Sequence, residues 1–283
     1  MKRISIIVTL AALLLHAPLA QAAAGFLSSI DEARTKAAEK QQVIFVDLFA
    51  EWCGWCHRME REVFPTEVFQ NATKDMVLLR VDTEDGGEGT RLAREYGIRQ
   101  LPAFLLLDQE GLVAGTLYGY SPAEKFTARL LDVYGKYETF RETVRNEKSI
   151  ASDYAGRLAL AEEFLVRRGV DQGQRRLRLL TTEKGVPEEV RDRAFVQLAT
   201  SQFTQKKFDE SEKTLESFFA VQSKGDAFER GRLIMSQVYV EQGNLPKALA
   251  TLRSFKAAFP KSPHMEQVDL LLPQIEGAVA RAN

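Results

Sequence analysis

Cys53 and Cys56 are the only cysteines in the chain, and they enclose Gly54 and Trp55 within the stretch Val43 to Met59, VIFVDLFAEWCGWCHRM. Val43-Ile44-Phe45-Val46 is a run of apolar and β-branched residues, long enough for one buried strand and too short for a helix. Asp47 interrupts the run, Leu48-Phe49-Ala50 continue it, and Glu51-Trp52 lead into the cysteine pair. From His57 to Val63 the residues suit a helix. A cysteine at a helix start meets free backbone N–H groups and the positive end of the helix dipole, and both favour its thiolate. Cys53 is therefore the expected exposed, low-pKa nucleophile. Cys56, one turn on, is the expected shielded thiol that attacks a mixed disulfide and releases the partner. With both cysteines in one motif, the chain cannot combine an internal structural disulfide with a free redox pair.

Other chemistries compete for these residues. Cys53 to His57 also fits the Cys-x-x-Cys-His pattern of c-type haem attachment. Here, however, the pattern follows a buried strand and is accompanied downstream by Leu101-Pro102, which haem ligation does not require. His57 is read instead, with Gly54, as a residue that tunes the thiolate. A structural zinc site needs four ligands, and no second cysteine pair exists. The acidic, glycine-rich segment Asp82 to Gly89 lacks EF-hand spacing and reads as a solvated loop. Neither a metal nor another cofactor is expected. A formal net charge of -1 gives no reason to expect nucleic acid or an acidic membrane surface as partner. The arginines Arg167-Arg168 and Arg175-Arg176-Arg178 accordingly read as a solvated helix face.

The elements around the motif follow from capping and periodicity. Lys2-Arg3, the apolar run Ile4 to Leu15 and Ala20-Gln21-Ala22 have the form of a cleavable secretory leader, so residues 1–24 are expected to be removed and the protein to be periplasmic. The leader core is too short for a comfortable membrane span, and no stable membrane insertion is expected. Ser29-Ile30-Asp31-Glu32 fits a capping box ahead of a first helix. The helix after the cysteines is expected to run to Phe64 and stop or bend at Pro65, with a second piece from Glu67 to Ala72. Met76 to Val81 reads as a strand, Thr90 to Tyr96 as a helix closed by Gly97, and Ala103 to Leu107 with Leu112 to Tyr118 as a hairpin. Pro102 belongs at a strand start, where its missing donor costs nothing. Ser121-Pro122-Ala123-Glu124 opens a helix expected to carry Phe126, Leu130, Leu131 and Tyr134 inward.

The motif, the downstream YGIRQLPAFLLL and the hairpin ending in LYGYSPAE, in that order, resemble the thioredoxin superfamily over about Phe26 to Tyr134. MEREVFPTEVF is more similar to periplasmic thioredoxin-like proteins and to the soluble C-terminal domain of the membrane thiol-disulfide interchange reductase. The resemblance implies an α/β thioredoxin fold, a central mixed sheet flanked by helices, with Cys53 attacking and Cys56 resolving. It also implies a cis bond between Leu101 and Pro102 facing the cysteines, and Asp47 as a buried proton acceptor behind Cys56. Trp52, Trp55, Leu101 and Pro102 are the expected substrate-binding residues, since an aromatic rim suits peptide contact. Trp55 stands where the family usually has proline. Leu78 falls at about the place of the lysine that commonly accompanies the buried aspartate, and the Asp82 to Gly89 loop is longer than usual.

Beyond residues 25–136, strand-like alternation disappears, and residues 137–150 read as a linker or a helix extension. Residues 151–283 read as an all-α domain of helical hairpins. Thr214-Leu215-Glu216-Ser217-Phe218-Phe219-Ala220 recurs 37 residues later as Thr251-Leu252-Arg253-Ser254-Phe255-Lys256-Ala257, and a degenerate copy fits Ala161, Phe164, Gly173, Leu177 and Leu180. The last copy, with Tyr239, Gly243, Ala248 and Pro260, resembles a tetratricopeptide repeat. Two function classes follow. One is a thiol-disulfide oxidoreductase acting on protein cysteines or disulfides, with a membrane thiol-disulfide reductase as a candidate electron donor. The other is an envelope scaffold that binds partners through its repeats. An intact Cys-x-x-Cys with Asp47 and Pro102 favours the enzyme, because a purely structural domain needs no accessible thiol pair.

Overall fold

In the computed structural model, which describes residues 25–282, the first half of the chain is built on a four-stranded sheet. The expected leader lies outside the described residues. Strands β1 (Val43–Phe49), β2 (Met76–Asp82), β3 (Ala103–Leu107) and β4 (Val113–Tyr118) lie in the order β2-β1-β3-β4. β2 runs parallel to β1, whereas β3 is antiparallel to both β1 and β4. β1 is thus an inner strand covered on both faces, which accounts for its nearly unbroken apolar run.

Side-chain alternation divides β1 between two cores. Ile44, Val46 and Leu48 face α1 (Ile30–Lys40) and α4 (Glu88–Tyr96). Val43 and Phe45 face α2 (Gly54–Glu62), α3 (Glu67–Thr73) and α5 (Ala123–Arg145). There Phe45, Phe64, Phe69, Phe104 and Phe126 pack with ring centroids 4.7–6.3 Å apart. Asp47 is in phase with Phe45, so alternation delivers its carboxyl to the face that α2 covers.

Local boundaries shift from the expected ones for identifiable reasons. α2 ends at Glu62 rather than Phe64, because Val63 and Phe64 turn into the core ahead of Pro65 and Thr66 caps α3. α4 begins at Glu88, two residues early. Asp85 draws its start together by accepting from the N–H groups of Gly87, Gly89 and Thr90. Gly89 lies so close to the Asp82 carbonyl that any Cβ would collide with it. Leu131 is not inward: it is 46% exposed, while Phe126 and Leu130 are buried.

The second half is helical: α6 (Tyr154–Val166), α7 (Val170–Thr182), α8 (Glu188–Thr204), α9 (Phe208–Phe219), α10 (Asp226–Glu241), α11 (Leu245–Ala258) and α12 (Met265–Ala282). The first six form three hairpins closed by one recurrent turn. In each, an N–H reaches back five residues to a carbonyl: Gly169 to Phe164, Lys207 to Gln202, Asn244 to Tyr239, at 2.7–2.9 Å. The residue before each donor, Arg168, Lys206 or Gly243, has positive φ. Ala199, Ser211, Ser236 and Ala248 are buried between the helices, as small residues at close crossings must be.

The two halves share a core. α5 is continuous through residues 137–145, and Tyr137 and Phe140 on it meet Leu160 and Phe164 of α6 within the same cluster as Phe45. The solvated-face reading of the arginines is corrected at Arg167, which is buried. Its guanidinium donates to the carbonyls of Val113 and Ala114 at 2.9 and 2.8 Å, and its own carbonyl accepts from Val113 N–H. β4 is the edge of the sheet, and these contacts cover its exposed backbone. Arg176 is likewise held, by both carboxylate oxygens of Glu147.

Candidate active site

The carboxyl end of β1 feeds the first turn of α2. Cys53 is the N-cap of that helix, and its Sγ accepts from Cys56 N–H at 3.2 Å. The two sulfurs are joined in a disulfide. A thiolate at this position would be stabilised by the same N–H and by the helix dipole. Cys56 is fully buried. Cys53 is only 4% exposed, so in the oxidised state the expected exposed nucleophile presents no more than a sliver of surface. His57 Nε2 donates to the Glu51 carbonyl at 2.8 Å. Among the described residues, no group of three or more His, Cys, Asp or Glu side chains is arranged to hold a metal ion.

The strip opposite the cysteines comes from the start of β3. The Leu101–Pro102 peptide is cis, and Leu101 packs against Ala50, Cys53 and Cys56. The Pro102 carbonyl accepts from Gly119 N–H at 2.9 Å, which ties the end of β4 to the same strip. The sheet ladder begins at Ala103, so it leaves the Leu101 backbone unused.

Beneath α2 lies Asp47, fully buried, with neither carboxyl oxygen hydrogen-bonded. Arg80 Nε comes within 3.4 Å of Oδ2, close enough for ionic attraction but not aligned for a hydrogen bond. Burial pushes the Asp47 pKa up to about 7; Arg80 pulls it down and Glu60 adds to the rise. Leu78 is not the partner position. Register sets Leu78 against Phe45 and Arg80 against Asp47, so the cation expected to be missing is present two residues further on. Arg80 also pairs with Glu60 at 2.8 Å and lies 4.2 Å from the Phe49 ring centroid. The remaining oxygen of Glu60 is 3.7 Å from His57 Nδ1. A file of polar groups thus runs from the buried carboxyl to the Glu51 carbonyl at the surface.

The rim is aromatic. Trp52 and Trp55 are 68% and 56% exposed. Trp52 Nε1 donates to Glu84 at 2.9 Å, which anchors the Asp82 to Gly89 loop beside the cysteines. Trp55 stacks on Tyr120, with centroids 5.4 Å apart and planes 29° from parallel. Arg80, Glu60, Glu84 and Tyr120 were not legible as site residues from the motif alone. One signal was available: Arg80 breaks the apolar run of its strand in the phase of Met76 and Leu78, as Asp47 does in β1.

Residues 30–134 match the thioredoxin-like domain family, and the observed sheet and flanking helices make this half a thioredoxin-like domain. Over 111 residues the chain is 32% identical to the thiol:disulfide interchange protein DsbD of Ralstonia nicotianae, which covers 38% of this chain and 18% of that protein. It is 29% identical to Escherichia coli K12 DsbD over 110 residues, covering 38% and 20%. The chain therefore spans about a fifth of the length of these curated relatives. Among solved structures, the oxidised C-terminal domain of Neisseria meningitidis DsbD aligns at 19% identity and a TM-score of 0.34, covering 38% of this chain and 97% of that one. The DsbH oxidoreductase aligns at 16% identity and a TM-score of 0.36, covering 43% and 92%.

Proposed function

We propose that the protein is a periplasmic thiol-disulfide oxidoreductase that exchanges two electrons with protein cysteines through Cys53 and Cys56. The observation that carries this reading is the placement of the cysteine pair: at a helix N-cap, against the Leu101–Pro102 strip, above a buried carboxyl that titrates near neutrality. In the reducing direction the Cys53 thiolate attacks one sulfur of a client disulfide and expels the other as thiolate. Cys56, losing its proton to a base, attacks Cys53 Sγ, frees the client's first sulfur and restores the Cys53–Cys56 disulfide. Asp47 is suited to take that proton, because a carboxyl with a pKa near 7 is half ionised at the pH of the reaction. Arg80 and Glu60 set the charge around it.

The leader motif supports export, and the similarity to DsbD supports a membrane thiol-disulfide reductase as electron donor. The three hairpins are read as tetratricopeptide-like repeats that hold a partner while the redox domain acts on it. The test is insulin reduction with dithiothreitol as the recycling dithiol. Wild-type protein should accelerate precipitation of the insulin B chain, and Cys53→Ser should lower the catalysed rate by about a hundredfold or more. Wild-type protein no faster than dithiothreitol alone would remove the oxidoreductase reading and leave the scaffold.

A further inference from the structure

Two elements flank Cys53. One is the N-terminal turn of α2, which carries Cys53 and Trp55; the other is the Leu101–Pro102 strip, to which Gly119 is bonded. A client chain that reaches Cys53 and pairs with the unused Leu101 backbone must lie between them. Trp55 belongs to the first of these elements, Tyr120 follows Gly119 on the second, and their rings stack on one another. Gly119, at φ +77°, supplies the left-handed turn that precedes Tyr120, a conformation side chains disfavour.

The bridge is locked as well as stacked. The Tyr120 hydroxyl donates to Glu62 Oε2 at 2.6 Å, and Arg58 Nε donates to both Glu62 oxygens at 2.9 Å. The Arg58 guanidinium lies 4.4 Å from the Tyr120 ring centroid and 5.5 Å from that of Trp55. The Tyr120 hydroxyl and Arg58 together hold the Glu62 carboxyl below its ordinary range, so it stays anionic and keeps both donors. An exposed ion pair alone would be worth little. Here one carboxylate fixes two side chains that sandwich one another, and large aromatic surface is held rigid at small entropic cost.

We propose that the Trp55–Tyr120 bridge closes one end of the path a client chain would take past Cys53. The site then prefers partners whose cysteine sits at a chain end or on a tight turn, and disfavours chains that run straight past the thiols. Tyr120 is thereby a specificity-determining residue. This inference rests on the oxidoreductase reading and refines its substrate class.

Three synthetic peptides of one composition test it, with the cysteine at the N-terminus, at the C-terminus or in the middle, each as the mixed disulfide with 2-mercaptoethanol. Pre-reduced protein is mixed with each peptide, and single-turnover oxidation is followed by tryptophan fluorescence. Wild-type protein should react with the better terminal peptide at least fivefold faster than with the central one. Tyr120→Ala should bring that ratio down at least threefold, while Tyr120→Phe, which keeps the ring, should retain more than half of it. A wild-type ratio below fivefold, a ratio kept in Tyr120→Ala, or equal losses in both variants would each overturn the bridge as the wall. Hydroxyethyl disulfide is the control for the underlying chemistry. If wild-type protein oxidises with neither it nor any peptide, the oxidoreductase reading fails; equal reaction with all three peptides removes only the selectivity.

Discussion

Two aspartates are buried in the thioredoxin-like domain, one toward each end of the sheet, and they are treated in opposite ways. Asp108, after β3, accepts from the N–H groups of Glu110 and Leu112 and from the Tyr137 hydroxyl, at 2.7–2.9 Å. It spends its oxygens holding the β3–β4 turn against α5, and the Tyr137 phenol it engages is pushed well above its ordinary pKa, chiefly by burial. The Asp47 carboxyl, at the cysteine end, has no hydrogen bond. A buried polar group left unpaired costs stability and persists where the cost serves something else. At Asp108 the carboxyl is structural; at Asp47 burial, with no hydrogen-bond donor to offset it, raises the pKa to about 7.

The largest loss of stability is expected at the structural end. Arg167→Ala would leave the Val113 and Ala114 carbonyls without their partner and remove a cation packed 5.3 and 4.8 Å from the Tyr137 and Phe140 ring centroids. Urea unfolding should report a loss of about 3 kcal/mol. The rate of thiol exchange should change less than twofold. A larger change would mean that the two ends of the sheet are coupled and that the comparison between them is wrong.

Asp47→Asn should act in the opposite sense. The unfolded carboxyl titrates near 3.8 and the folded one near 7, so between those values the native protein holds a proton that the unfolded chain has released. Stability from this group is complete below about pH 4 and is lost as pH rises toward 7. Asparagine removes the charged state, so Asp47→Asn should gain about 4 kcal/mol at pH 8, three pKa units' worth, and almost nothing at pH 4. The same variant should slow release of a trapped mixed disulfide about tenfold at pH 7. Equal stability changes at both pH values would show that the carboxyl is not titrating between them.

Much of this contrast could be anticipated from residue order, but only where the cause was local. The apolar run at Val43, the cap at Ser29 and the turn chemistry at Asp108 are written within a few residues, and the elements appear close to where those signals place them. Arg80 was missed because its relation to Asp47 depends on parallel register across an intervening pair of helices, which no local pattern encodes. Arg167 was misread for a similar reason. In the sequence it is one basic residue among several, and its burial follows from how α6 docks on the β4 edge. Tyr120 gave no signal because Trp55 lies far away along the chain and the carboxylate that holds the Tyr120 hydroxyl is on α2.

Arg80→Gln should have the smallest effect and gives the finest test of the comparison. If Asp47 were stabilised as Asp108 is, by donors on its oxygens, loss of a cation 3.4 Å away would matter little. Because Asp47 has no such donors, Arg80 is the group that holds its pKa down against burial, and it also neutralises Glu60. A neutral amide in its place would leave both carboxyls without a positive neighbour, and the buried one would bind its proton more tightly. The pH midpoint for resolution of the mixed disulfide should therefore move in the alkaline direction by an amount on the order of one unit. At pH 6, where Asp47 is already mostly protonated, native stability should change by less than about 1 kcal/mol. The measurement is a pH series of the release rate from Cys53-linked client, wild type against Arg80→Gln. An acid shift or an unmoved midpoint would mean that Asp47 does not set the pH dependence of release, and would leave it a buried carboxyl with no part in the exchange.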